Sequence, residues 1–156
     1  MGIYDLAESA YNSLICSDMA DSSIFSNLGH VQVEVGKFDK ALQNYNHALE
    51  YDRKNDKAYN NIAQAYFKKY EFDKAIPYAQ KALEINPSLH NASSLLAIIY
   101  ALQEDKANAE KYFHMAISSG RDPKELKDSI EYYRSAQFSA DEIAEENDAE
   151  IEEINE

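Results

Sequence analysis

Tryptophan is absent from this chain of 156 residues, cysteine occurs once, proline three times and glycine four times. The single cysteine, Cys16, excludes an internal disulfide and cannot assemble a thiolate metal site. It fits a reducing compartment and is expected to pack at a helix end. Scarce glycine and proline, with no Asn-Gly pair, remove the usual material of β-hairpin turns. No apolar run approaches the ~20 residues that a membrane span needs. The stretch MGIYDLAESAYN has no basic region of the kind that opens a signal peptide. Leu6 stands where a myristoylation signal wants Ser or Thr. The expected location is therefore cytoplasmic.

Patterns that carry chemistry are missing too. The histidines His30, His47, His90 and His114 show no His-x-x-x-His spacing, and neither a Gly-rich phosphate loop nor Gly-x-Ser-x-Gly occurs. The turn DRKND at 52–56 gathers acids but lacks the alternating ligands and glycine of a calcium loop. It reads as a loop ending in a helix N-cap. Carboxylate pairs such as Glu104/Asp105 read as solvated surface. No enzymatic activity, cofactor or metal is expected.

What is present points to helices. Twelve tyrosines and many alanines suit helices packed through medium-sized side chains, an all-α class. The net charge of −13 is uneven. Residues 138–156 hold nine acids and no Lys or Arg, leaving 19 acids against 15 bases in residues 1–137, a balance of −4. The negative field argues against nucleic acid and anionic membranes as partners and mildly favours basic ones.

The chain also repeats itself. A slide of 34 residues aligns KFDKAL (37–42) with EFDKAI (71–76), and Ala7 with Ala41, Ala75 and Ala109. It also aligns Ala48, Ala82 and Ala116; Gly29, Ala63 and Ala97; Leu28, Ile62 and Leu96; Tyr4, Phe38 and Phe72; and Tyr66 with Tyr100. Spaced small residues are what closely crossing helices require, and aromatics fill the gaps beside them. Helix-period composition alone does not hold one register over three copies.

This pattern resembles the tetratricopeptide repeat, a 34-residue helix-turn-helix unit. The middle copy, 56–89, matches best, through Tyr59, Ile62, Ala63, Tyr66, Phe72, Ala75, Ala79, Ala82 and Pro87. The first copy, 22–55, departs at Gln32, where an aromatic is usual, and at Arg53, where proline is usual. The third, 90–123, has Ser93 in place of the first aromatic and Arg121 in place of proline. The resemblance implies a right-handed α-α superhelix with three repeats. Residues 3–16 read as the second helix of an incomplete copy and 123–136 as a polar-backed cap in which Leu126, Ile130 and Tyr133 cover the last repeat. Residues 1–137 would form this domain, and 138–156 an acidic tail. Helices are expected near 3–16, 22–35, 38–51, 56–69, 72–86, 90–103, 106–119 and 123–136. The half-copy leaves Tyr4, Tyr11 and Ile15 as an uncovered face for a homodimer or an upstream domain.

Family geometry places the first helices on a concave face. Its groove would be lined by Ser26, His30 and Val33 from the first copy, and by Lys57, Asn60, Asn61, Gln64 and Phe67 from the second. The third would supply Asn91, Ser94, Ile98 and Ala101, with Leu102 at the edge. Amides and hydroxyls there can meet an extended peptide's backbone, beside apolar spots at Phe67, Ile98 and Leu102. Relatives that hold the acidic C-terminus of Hsp70 or Hsp90 use a clamp of Lys, Asn, Asn, Lys and Arg. The matching positions here are Ser26, His30, Asn61, Asn91 and Leu95; only Asn61 fits, so that partner is not expected. In the tail, SADE (139–142) makes a capping box and Ile143, Ile151 and Ile154 form a sparse stripe. A solubilising tail and a docking helix both remain open, since the acids repeat at i,i+4. The expected function is a non-enzymatic interaction module that binds a peptide in its groove. The alternatives are a small acidic chaperone for a secretion or assembly client, and an accessory fragment of a larger protein.

Overall fold

The computed structural model describes residues 2–17 and 21–136, so the acidic tail and its capping box lie outside the described residues. Within them the chain is helical. The helices are α1 (Ile3–Cys16), α2 (Ser22–Glu34), α3 (Phe38–Tyr51), α4 (Asp56–Lys68), α5 (Phe72–Ile85), α6 (His90–Leu102) and α7 (Lys106–Ser118). A last helix, α8, runs over 123–136. Where the expected ends differ they overshoot by one residue, because that residue is the C-cap and has already left helical geometry.

Four of the starts are capped by a side chain. The side chains of Asp21, Asn55 and Asp105 accept hydrogen bonds from the backbone N–H of Ile24 (2.8 Å), Ala58 (2.9 Å) and Asn108 (3.1 Å). Asp122 does the same for α8, accepting from Lys124 and Glu125, both at 2.9 Å. The hairpin turns share one conformation. Gly36, Tyr70 and Glu104 stand 34 residues apart and have positive φ, at 74°, 59° and 59°. The residue after each sends its N–H back to Gln32 O (2.7 Å), Tyr66 O (3.0 Å) and Tyr100 O (2.9 Å). Pro77 sits exposed in α5, which continues through it.

Helices pair as α2–α3, α4–α5 and α6–α7, and each second helix also packs on the next first helix. Alanines make this close approach feasible: Ala41, Ala48, Ala75, Ala82 and Ala116 are fully buried. First helices also touch along the row, α2 with α4 and α4 with α6. That closer spacing curves the array into an all-α superhelix with the first helices inside. Leu126 of α8 is fully buried, and Ile130 and Tyr133 pack partly buried on the same core.

The departure at Gln32 has a structural answer. In the second and third repeats the equivalent positions stack tyrosines, Tyr66 on Tyr78 (5.6 Å) and Tyr100 on Tyr112 (5.6 Å). In the first repeat the pair becomes two amides, with Asn44 Nδ2 donating to Gln32 Oε1 at 2.8 Å. Gln32 is buried and passes the connection on, its Nε2 donating to Glu8 Oε1 at 3.1 Å. Lys37 holds the other Glu8 oxygen at 2.7 Å. Polar residues thus fasten α1 where an aromatic pair would have been apolar.

Two N-terminal expectations change. Cys16 is the last residue of α1 and is exposed rather than packed. On α1 the large apolar residues most open to solvent are Ile3 (84%) and Leu6 (56%), with Tyr4 also exposed; Tyr11 and Ile15 are half-buried. Among the described residues α1 packs chiefly on α2, with Glu8 also held by Lys37 at the start of α3.

Candidate functional site

The inner face is built by α2, α4 and α6. Its expected residues separate by depth. His30, Lys57 and Asn91 are exposed, and Ser26, Asn61, Gln64 and Leu102 are half-buried. Val33, Asn60, Phe67, Ser94, Ile98 and Ala101 are buried. Val33 belongs to the core between the first two repeats, beside Tyr45 and Ile62, and Leu102 packs onto the main core. Those two are frame residues rather than groove lining.

A depression of about 190 Å³ brings together five of the expected residues: Gln64, Phe67, Asn91, Ser94 and Ile98. Lys68, Leu95, Arg121 and Tyr133 complete its lining. Ala101 instead borders a separate depression with Glu104, Lys106, Ala109 and Arg134. The open apolar patch expected around Phe67 and Ile98 is mostly closed, at 8% and 7% exposure. Phe67 packs on Phe72 at 5.4 Å and on Tyr133, whose ring meets it edge-on at 4.9 Å and 82°. The cap helix therefore forms one wall of the groove, besides covering the last repeat.

Polar groups on this face have unmet bonding capacity. Ser26, Asn60 and Ser94 occupy the same position in three successive repeats. Ser26 Oγ, Asn60 Oδ1 and Ser94 Oγ are all buried without a partner among the described residues. The rim is charged. Lys68 Nζ lies 3.0 Å from Glu34 Oε1, bridging α4 to α2. That hydrogen bond and the Lys68 charge hold the Glu34 carboxyl below its ordinary range. Arg121 Nη1 is 3.6 Å from Glu125 Oε2, and Arg121 Nε is buried without a partner. Among the described residues, no group of three or more His, Cys, Asp or Glu could hold a metal ion.

Sequence reasoning did not place Lys68, Arg121 or Tyr133 in the groove. Lys68 follows Phe67 and shares its end of α4, a signal that was legible. Arg121 stands where the repeat closes on proline, and its long side chain turns back over the inner face. Tyr133 reaches Phe67 over α6, which no local pattern reveals.

A TPR repeat model matches residues 29–69, and a tetratricopeptide repeat model matches residues 56–89. No curated protein matches the sequence. Among solved structures, MamA is 21% identical with a TM-score of 0.70, over 76% of this chain and 69% of that one. YrrB, described as a TPR protein with an unusual peptide-binding site, is 20% identical with a TM-score of 0.69, over 81% and 66%. The first TPR of Spaghetti (RPAP3), bound to the HSP90 peptide SRMEEVD, is 20% identical with a TM-score of 0.66, over 75% and 93%. At these identities the likeness is one of fold. Repeat matches, a shared 34-residue register and the superhelix agree, and the chain is a tetratricopeptide-repeat protein.

Proposed function

We propose that this protein is a non-enzymatic scaffold that holds an extended peptide segment of a partner in the groove formed by α2, α4 and α6. The repeat family and the fold support a protein-interaction role in general. The depression that gathers Gln64, Asn91 and Ser94 beside Phe67 and Ile98 carries the finer reading. An extended backbone offers an N–H or C=O at regular intervals, so one chain laid along the groove supplies partners to successive repeats. Exposed Asn91 and half-buried Asn61 and Gln64 add amides that donate and accept. Of the similar folds, one is described with a peptide-binding site and another holds a peptide. The Hsp90-type clamp is not the mode used here. Leu95, at the position where that clamp needs arginine, is apolar and buried.

The test places a photo-crosslinking residue at Gln64 or Asn91, on the inner face, and at Lys81, exposed on α5. After irradiation in the source cells, the partner is identified by mass spectrometry. A partner captured from Gln64 and Asn91 but not from Lys81, with the crosslink mapping to one short segment, supports the reading. Equal capture from Lys81 refutes it.

A further inference from the structure

We infer that the N-terminal rim of the superhelix, where Ile3, Leu6 and Val35 stand, is an interface on which a second copy of this chain packs about a two-fold axis. The rim lies outside the groove, and its role is independent of peptide binding there.

The rim breaks the repeat at positions that the other units keep polar. In register with Ile3 stand Lys37, Glu71 and Asp105, and in register with Leu6 stand Lys40, Lys74 and Asn108. Val35 has Lys69 and Gln103 as its counterparts. All of these counterparts reach solvent, exposed or half-buried. In the rim the same positions are apolar and still open, Ile3 at 84%, Leu6 at 56% and Val35 at 37%. Single exposed apolar residues are ordinary, but three departures at one edge mark a contact surface. An absent first helix does not explain them. α3 has its first helix, α2, packed against it, and Lys37 and Lys40 remain exposed there. A helix seated on α1 in the same way would leave Ile3 and Leu6 uncovered.

Asp5 gives a second indication. At the next two junctions the acid in its register is bound across the repeat boundary. Lys69 Nζ lies 2.9 Å from Asp39 Oδ1, and Gln103 Nε2 donates to Asp73 Oδ1 at 3.2 Å. At the first junction the counterpart of Lys69 and Gln103 is Val35, whose side chain donates nothing. Asp5 accepts from the Gly2 N–H at 2.9 Å and forms no ion pair among the described residues. Lys37, within reach of its field, is already bound to Glu8 at 2.7 Å.

The rim therefore calls for apolar surface and one cation, and a second copy supplies both. Its Ile3, Leu6 and Val35 offer the apolar part. Its Lys40 offers the cation, being exposed in the first turn of α3 and in no ion pair among the described residues. The Lys40 charge reaches Glu8 on α1, so it borders the same rim. In an isologous contact each element meets its counterpart reciprocally. One axis through the apolar patch sets Asp5 of either copy against Lys40 of the other, which makes two pairs. The segment 138–156 fits less well, because its nine acids and lack of Lys or Arg bring no cation to Asp5.

Sedimentation velocity on the full chain tests this over a concentration series, at an ionic strength that screens the repulsion between chains of charge −13. The chain should pass from monomer to dimer. Ile3→Lys combined with Leu6→Lys writes into α1 the residues that α3 carries in the same register. That variant should weaken the dimer about tenfold or more, with its fold checked by a far-UV circular dichroism melt. Asp5→Lys and Lys40→Asp should each impair self-association alone. A mixture of the two should dimerise, because each chain then meets its complement at both pairs. Carbodiimide cross-linking of mixed isotope-labelled and unlabelled parent chains should join Asp5 to Lys40 between copies. The swap and the cross-link stand whether or not the double lysine variant folds. A chain that stays monomeric at every concentration overturns the inference. So does a dimer that survives Ile3→Lys with Leu6→Lys, or a mixture that associates no better than its parts. Lys40 joined instead to a carboxylate of 138–156 overturns it as well.

Discussion

Gly29 is the position where a single methyl group should do the most measurable damage. A Cβ built there lies 2.6 Å from Tyr45 Cε1, 2.8 Å from Cδ1 and 3.0 Å from Cζ. Carbon atoms in contact prefer ~3.5–4.0 Å, so the ring would have to retreat by about an ångström. It has nowhere to go. Tyr45 is 1% exposed, enclosed by Val33, Ala41, Ile62 and Ala65, and its burial pushes the phenol pKa up. Overpacking of this kind costs ~1–3 kcal/mol. Alanine recovers up to ~1 kcal/mol of helix propensity over glycine. Ring atoms at 2.6 and 2.8 Å put the overpacking cost in the upper part of that range, so Gly29→Ala should destabilise the protein by about 1–2 kcal/mol. Urea unfolding followed by far-UV circular dichroism would read this as a lower midpoint at unchanged slope. Repeating the change in a Tyr45→Ala background, which removes all three ring atoms, isolates the contact. There Gly29→Ala should be neutral or stabilising, a coupling of at least about 1 kcal/mol. The second repeat already uses the alternative, with Ala63 and Ala79 at the equivalent positions. Gly29→Ala as stable as the parent with Tyr45 in place would refute the argument.

Two further outcomes follow from the turns and from α1. Tyr70 and Glu104 hold φ of 59° without being glycine. A side chain there costs ~1–2 kcal/mol and glycine's extra chain entropy takes back ~0.5–1. Glu104→Gly should thus raise the thermal midpoint by the equivalent of about 0.5–1 kcal/mol, and Gly36→Ala should lower it comparably. Equal midpoints would show that the turn does not need positive φ. Glu8 is held below its ordinary value of 4.5 by hydrogen bonds from Lys37 and then Gln32. A depressed folded pKa means that the stabilisation is present above that ordinary value and is lost as pH falls through the depressed one. The midpoint difference between parent and Glu8→Gln should be largest near neutrality and shrink as the pH falls below the carboxylate range. A difference that stays constant with pH would show that the Glu8 charge contributes nothing.

Much of the frame was legible because helix pairing in a repeat is local. Ala41, Ala75 and Ala109 declared the period, and the 52–56 turn marked the start at Asn55, whereas Asp105, read as solvated surface, caps α7. The groove was legible in outline only. Gln64, Phe67, Asn91, Ser94 and Ile98 do meet around one depression, while Val33 and Leu102 turn into the core. Alternation along a helix separates inside from outside, but it does not say how deep a residue sits once neighbouring helices close over it.

Read alone, the sequence settles the repeat, its register and the all-α class, because each unit packs mainly on the next and writes that contact into spaced small residues. Tertiary structure decided the rest. Phe67 and Tyr133 stand 66 positions apart yet touch, because the curvature accumulated over successive helices brings α8 across α6 to α4. The same curvature carries Arg121 over the inner face and leaves Ser26, Asn60 and Ser94 buried without partners. Curvature is a sum of small rotations between neighbours, and no single repeat contains it.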